Sequence, residues 1–270
     1  MKVAVFDTTG ASKGSIDLPQ QFSSEYRPDL IRRAVLTLQN NQRTKYGASP
    51  EAGFRHSARI SKRRRDYRGC YGHGISRVPR KIMSRRGERM NWVGAIAPGT
   101  VGGRRAHPPK AEKNWSTKIN KKEKRAAIRS ALAATMTTEL VQARGHAPPK
   151  DYPFIVDQIE DIKTTKMVIE ALSKLGFDDE LNRVTERKIR AGKGKLRGRK
   201  YKSKVGPLIV ISKECGLERA ARNIPGVEVA LVNELNAELL APGTHAGRLT
   251  LFSRDSIQRI EKEGLYDGSN

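Results

Sequence analysis

Three features of this chain predict an α/β fold, with a mostly parallel sheet flanked by helices and a long extended basic loop inserted near the N-terminus. First, short β-rich runs recur at 3–6, 154–156, 208–211, 227–232 and 249–252, and helical patterns lie between them. Strands separated by helices of about ten residues or more form βαβ units, whose sheets are mostly parallel and covered on both faces. Second, 37% of the 270 residues are hydrophobic, enough to bury a sizeable core. Third, the net charge of +25 is concentrated in two stretches: 43–110 holds 18 Lys and Arg against 3 Asp and Glu, and 186–204 holds 10 against 1. The remainder is close to neutral, with 25 basic and 24 acidic residues.

Each element follows from a local pattern. After the strand at 3–6, residues 28–38 place Leu30, Ile31, Ala34, Val35 and Leu38 on one helical face, with Pro28 suited to the first turn. Asn120 and Glu123 have capping-box spacing, and Ile128, Leu132, Met136 and Leu140 repeat at i+4 through one long helix expected to end near Gly145. Thr164 is placed to cap a helix carrying Met167, Val168, Ala171, Leu172 and Leu175, with Gly176 just past its end. Two further helices are expected over 216–223 and 255–264. The 43–110 stretch falls between the first two helices and is therefore an insertion tethered at both ends. The organisation expected is a globular body over 1–42 and 111–270, a loop over 43–110, and a second basic loop within the body at 186–204.

The insertion cannot share the core. Its large aliphatic residues are Ile60, Val78, Ile82, Met83, Val93, Ile96 and Val101, too few to offset the entropy of ordering so long a segment. It is expected to order on a partner, and its charge demands a polyanion. Arg outnumbers Lys 14 to 4, and the planar guanidinium binds phosphate bidentately and stacks on bases, which suits folded RNA. Tyr46, Phe54, Tyr67, Tyr71 and Trp92 offer stacking faces. The candidate RNA-binding residues are Arg43, Lys45, Arg55, Arg59, Lys62, Arg63, Arg64, Arg65, Tyr67, Arg68, His73, Arg77, Arg80, Lys81, Arg85, Arg86, Arg89, Trp92, Arg104, Arg105, His107 and Lys110 in the insertion. The second stretch adds Arg187, Lys188, Arg190, Lys193, Lys195, Arg197, Arg199, Lys200, Lys202 and Lys204.

Other chemistries find little support. Gly192, Gly194 and Gly198 follow no strand and are closed by no Walker Lys-Ser/Thr, so a loop along an RNA backbone is the better account. Cys70 and His73 have ligand-like spacing but no matching second pair, and His56 and His107 would have to be recruited from afar. The pairs Asp178 with Asp179 and Glu160 with Asp161 are read as helix-start or exposed carboxylates. Neither a nucleophile elbow, an HExxH nor a dinucleotide fingerprint is present, so no catalytic or metal residue and no small-molecule substrate is expected. No cofactor is implied beyond structural magnesium or monovalent cations at an RNA interface. Two distant cysteines give no disulfide framework, and no apolar run reaches the length of a membrane span, so a cytoplasmic protein that avoids membranes is expected.

Three segments carry a resemblance that covers nearly the whole chain: YRGCYGHGISRVPR, GGRRAHPPKAEKNW leading into NKKEKRAAIRSALAAT, and VALVNELNAELLAPGTHAGRLTLFS. The chain resembles the large-subunit ribosomal protein L four family in its archaeal form, which lacks the basic C-terminal extension of eukaryotic members. The resemblance implies a Rossmann-like body on the solvent side of the large subunit. It further implies that 43–110 threads the large-subunit (23S-type) rRNA, with a tip around Arg65 to Arg80 near the wall of the polypeptide exit tunnel. Large-subunit rRNA, neighbouring ribosomal proteins and the nascent polypeptide are the partners it implies. Two rival classes stay open at this level, an RNA-modifying enzyme on a Rossmann-like domain and a DNA-compacting or regulatory binder.

Overall fold

The computed structural model of the protein describes residues 1–267. It divides into two compact units, Met1–Gln42 with the chain from Ser116 onward, and Arg43–Trp115. In chain order the elements are β1 (Lys2–Phe6), β2 (Ser12–Asp17), α1 (Pro28–Gln42), β3 (Ala58–Arg59), β4 (Arg80–Arg86), β5 (Arg89–Gly94), α2 (Lys121–Thr135) and α3 (Thr138–Ala143). They continue with β6 (Phe154–Val156), α4 (Thr165–Lys174), α5 (Asp178–Thr185), β7 (Lys188–Ile189), β8 (Tyr201–Lys202), β9 (Leu208–Ile211), α6 (Gly216–Ala221), β10 (Glu228–Leu231), α7 (Ala237–Leu240), β11 (Thr250–Ser253) and α8 (Arg254–Lys262).

The body is built on a six-stranded sheet of order β10-β9-β11-β6-β1-β2. All its pairings are parallel except that of β2 with β1. Alternate side chains of each central strand enter different layers, as the period-2 geometry of a strand requires. Ile155, Leu208, Val210 and Phe252 pack with Ile31, Val35, Ile128, Leu132 and Ile257 on one face. Phe154, Val156, Ile209, Ile211 and Leu251 pack with Val168, Leu172, Phe177, Leu217 and Ala221 on the other. The expected mostly parallel α/β sheet with helices on both faces is therefore present.

Local readings were modified by tertiary contacts in several places. β2 has the sequence SKGSID and is almost wholly exposed, so no apolar alternation signalled it; backbone pairing to β1 makes it the edge strand of the sheet. The single long helix expected through to Gly145 is two helices. The chain breaks at Met136 and Thr137, where Thr135 Oγ1 turns back to Leu132 O at 2.7 Å and the Tyr152 hydroxyl donates to Thr135 O. No capping box forms at Asn120, whose side chain makes no cap bond. Glu123 instead pairs with Arg33 at 2.7 Å and ties α2 to α1.

The second basic stretch also has structure of its own. β7 and β8 pair antiparallel, Lys188 with Lys202 and Ile189 with Tyr201, around a 3-10 turn at Gly192–Arg197. Its base is clamped. Arg183 Nη2 donates to Val205 O at 2.7 Å, and Lys204 pairs with Glu186 at 2.8 Å, so the chain leaving α5 and the chain entering β9 are held together. Arg183 in turn is gripped by Glu180, its Nε and Nη2 each donating to a carboxylate oxygen at 2.7 Å.

Glu180 is fully buried and also accepts from Ala147 N at 3.0 Å, while its Oε1 lies 2.7 Å from His146 Nδ1. Burial opposes its ionisation, but the hydrogen bonds from Arg183, His146 and Ala147 outweigh that cost and bring its pKa down to about 2. Burial depresses the pKa of His146 below its ordinary value, against the pull of Glu180, so a neutral imidazole donates its Nδ1–H to the carboxylate. Both groups are shifted downward on folding, and both therefore stabilise the body above their unfolded pKa values and lose that contribution as pH falls. Body stability should decline in acid in two steps, beginning below about 6.5 for His146 and spanning about 4.5 to about 2 for Glu180. The second step is worth on the order of 3 kcal/mol. Urea midpoints measured against pH should show it, and Glu180→Gln should lower stability at pH 7 and flatten the profile below pH 4.5.

Candidate nucleic-acid interface

The Arg43–Trp115 unit contains a three-stranded antiparallel sheet, β3-β4-β5. The reading of an extended loop without structure of its own thus requires correction: local pairing across the turn at Gly87 and Glu88 sets Ile82 opposite Trp92 and Arg85 opposite Met90. What the unit lacks is a core. Among its described residues only Cys70 and Ala95 are buried hydrophobics, against several dozen in the body. Its shape rests on backbone contacts and on cation–aromatic pairs.

Two backbone limbs run side by side at its base. Ala48 N donates to Pro109 O at 2.9 Å, and a Cβ on Gly47 would come within 2.5 Å of Ala111 N. Gly53, at φ +80°, faces Arg104 so closely that a Cβ would lie 2.6 Å from the Arg104 Cβ. Only glycine allows the limbs this approach. Arg43 lies 4.6 Å from the centroid of the Trp115 ring, which also stacks against Tyr46 at 4.9 Å, so the unit extends five residues beyond the boundary expected at 110.

Residues 61–69 form a compact cationic turn organised by Asp66. Its Oδ2 accepts from Ser61 Oγ at 2.6 Å and its Oδ1 from Tyr67 N at 2.8 Å, while its carbonyl accepts from Gly69 N at 3.0 Å. The Ser61 bond, with help from the Tyr67 N–H, holds the Asp66 carboxyl below its ordinary pKa. Arg65 and Arg68 adopt φ of 56° and 62°, a left-handed conformation that side chains other than glycine rarely take. Sequence reading missed Asp66; its signal was its being one of three acids among 18 cations.

Four of the five aromatic residues expected to offer stacking faces, Phe54, Tyr67, Tyr71 and Trp92, already carry guanidinium groups. Arg68 and Arg85 sit over Tyr67 at 5.4 and 5.3 Å, and Arg64 and Arg77 over Tyr71 at 5.8 and 4.9 Å. Arg80 lies over Trp92 and Arg104 over Phe54, both at 5.4 Å. The rings act as platforms that space like charges and fix their direction. Arg80 also reaches Cys70 Sγ at 3.4 Å and Ser76 Oγ at 3.2 Å, so Cys70 serves as a hydrogen-bond acceptor.

Of the candidate residues in both stretches, Arg68, Arg80, Lys81, Trp92, Arg104, Arg190 and Lys204 are half-buried and all the others are exposed. The two stretches lie in different units. Among the described residues no group of three His, Cys, Asp or Glu is placed to hold a metal ion, and no helix is long and apolar enough to cross a membrane.

In open α/β sheets ligands bind in the crevice outside the carboxyl ends of the strands. Here that edge is filled by the protein itself. Glu160, read from sequence as a helix-start or exposed carboxylate, turns inward and accepts from Ser212 N and Oγ at 2.7 Å and from Ser253 Oγ at 2.6 Å. It thereby ties the end of β9 to the end of β11. Arg259 donates to Ser212 O, and Lys13 and Arg254 converge on Asp157, at 3.3 and 3.8 Å. The pair Asp178 and Asp179, by contrast, lies in the first turn of α5 as expected.

A sheet whose ligand edge is closed, joined to arms of exposed and unneutralised cations, defines a polyanion-binding scaffold protein. The chain belongs to the ribosomal protein L4/L1 family, whose model matches residues 16–263. It is 49% identical to the large ribosomal subunit protein uL4 of Nanoarchaeum equitans over 98% of this chain and 100% of that one. It is 48% identical to that of Methanococcoides burtonii over 95% and 96%, and 43% identical to that of Archaeoglobus fulgidus over 96% and 98%.

Glu160→Ala would leave the Ser212 and Ser253 donors unpaired at the sheet edge. We expect a loss of about 2–3 kcal/mol of body stability in urea unfolding, the range for removing an ionised acceptor from partly buried donors.

Proposed function

We propose that this chain is a structural constituent of the large ribosomal subunit that binds large-subunit rRNA in cytoplasmic ribosomes, with no enzymatic role. The observation that carries this reading is the Arg43–Trp115 unit, in which 19 exposed or half-buried Lys and Arg surround only two buried hydrophobic residues. Such a unit gains little from apolar burial and much from counter-charge, so RNA completes what the missing core leaves undone. The body, with its own two-sided core, docks on the subunit beside neighbouring ribosomal proteins. Residues 43–110 extend into the rRNA, screen repulsion between its phosphates during assembly, and carry the 65–80 region to the exit tunnel, where it meets the nascent polypeptide. The second arm at 186–204 lies along the RNA backbone and is steadied by the Arg183 and Glu186 clamp at its base. Membership of the ribosomal protein L4/L1 family and full-length similarity to archaeal uL4 proteins support this reading over enzymatic or DNA-binding rivals.

If ten of the 28 cations in the two stretches meet phosphates, affinity for an rRNA fragment should fall with salt at a log–log slope of about −7 to −9. Replacing residues 55–105 by a short linker should leave the thermal midpoint of the body nearly unchanged and abolish assembly-grade RNA binding. Loss of body folding would place the segment in the core and refute the reading. The second arm can be isolated with Lys193→Ala, Lys195→Ala and Arg197→Ala, three exposed side chains with no side-chain hydrogen bond or ion pair among the described residues. Together they should reduce the steepness of the salt slope by about 2–3 with unchanged thermal stability.

A further inference from the structure

Between the 65–69 turn and the β4–β5 hairpin lies a cleft of about 550 Å³, the size of a small-molecule site. Its lining includes Arg65, Tyr67, Arg68, His73, Glu88 and Trp92. Two features separate it from a general cationic surface. Arg68 Nε is buried and has no hydrogen-bond partner, an omission that costs free energy unless something arrives to accept from it. Glu88, one of three carboxylates among 18 cations, makes no ion pair or side-chain hydrogen bond among the described residues, whereas the neighbouring Asp66 is engaged by Ser61 and Tyr67. A free carboxylate repels phosphate. In a surface otherwise suited to phosphate it points to the recognition of donor groups.

We infer that this cleft takes one unstacked guanine of single-stranded RNA, with Glu88 accepting from its Watson–Crick edge and Arg68 donating to its Hoogsteen edge. The inference rests on the RNA-binding reading above and adds a base-specific site to it. Guanine is the one RNA base whose Watson–Crick edge presents two adjacent donors, N1–H and N2–H, matching the two oxygens of a carboxylate. Its opposite edge presents N7 and O6, both acceptors, which is the pattern a guanidinium satisfies. Adenine offers a donor beside an acceptor on both edges, and the pyrimidines offer no donor pair of this kind. Tyr67 carries Arg68 and Arg85 and Trp92 carries Arg80, so a splayed base rests against guanidinium planes backed by aromatic rings, a surface used in sequence-specific recognition of RNA loops.

The test uses the full chain and short oligouridines carrying a single internal guanosine, adenosine, inosine or 7-deazaguanosine, with binding followed by fluorescence anisotropy at fixed salt. The guanosine oligomer should bind roughly tenfold or more tighter than the adenosine oligomer, the discrimination expected of one good bidentate contact. Inosine, which lacks the N2 amino group, and 7-deazaguanosine, which lacks N7, should each lose part of that preference. Glu88→Gln places an amide donor against a guanine donor and should erase the preference. Because Glu88 is exposed at a hairpin turn, this variant should keep the wild-type thermal midpoint and salt slope on an rRNA fragment. Equal affinity of the unmodified chain for guanosine and adenosine oligomers, or a preference untouched by Glu88→Gln, would overturn the inference while leaving the rRNA reading intact. Absence of tight, salt-sensitive binding to the rRNA fragment itself would instead sink the broader reading.

Discussion

Eighteen cations and three carboxylates share residues 43–110, and at physiological ionic strength a Debye length of about 8 Å lets each guanidinium feel several others at once. That mutual repulsion is the constraint on which the rest of the molecule depends. It rules out a buried core in the segment, because charges cannot be desolvated without partners and the chain supplies almost none. The protein meets the constraint with glycine contacts between limbs, one Asp66-centred turn, and aromatic rings under the arginines. These arrangements space the charge without cancelling it, which leaves the field available to a polyanion.

The body has the opposite character. Outside 186–204 its charge is nearly balanced, its sheet is buried on both faces, and Glu180 inside it is engaged by Arg183 and His146. Engagement of that kind positions chain segments. Arg183 reaches from the buried Glu180 to Val205 and so fixes the point at which the second basic arm leaves and re-enters the fold. Glu160 does comparable work at the carboxyl edge of the sheet, where its bonds to Ser212 and Ser253 occupy the place in which related architectures hold a ligand. A fold often associated with nucleotide chemistry is thereby turned into a support for its arms.

Elements were legible in proportion to how local their causes are. The strands β6 and β9 were read at their observed limits because continuous runs of buried β-branched and aliphatic residues need no outside information. β2 was invisible, since a polar edge strand is made by its neighbour's backbone. The break between α2 and α3 and the diversion of Glu123 to Arg33 were equally hidden, because Tyr152 and Arg33 are remote in sequence from the helix they alter. The candidate interface was legible as composition. The rings of Tyr67 and Tyr71 were singled out as stacking faces, but their occupation by arginines depends on distances that no spacing rule provides.

By itself the sequence determined the α/β class, the separation of a neutral body from two cationic arms, and the need of those arms for a polyanion, because periodicity, apolar content and charge are properties of residues in order. The tertiary structure alone decided that the first arm carries a small antiparallel sheet, that Glu160 closes the sheet edge, and that Glu88 stands uncommitted beside a buried Arg68 nitrogen. Those outcomes turn on which groups the folded backbone brings within hydrogen-bond reach and which it leaves apart, across a short turn between β4 and β5 and between distant segments at Glu160.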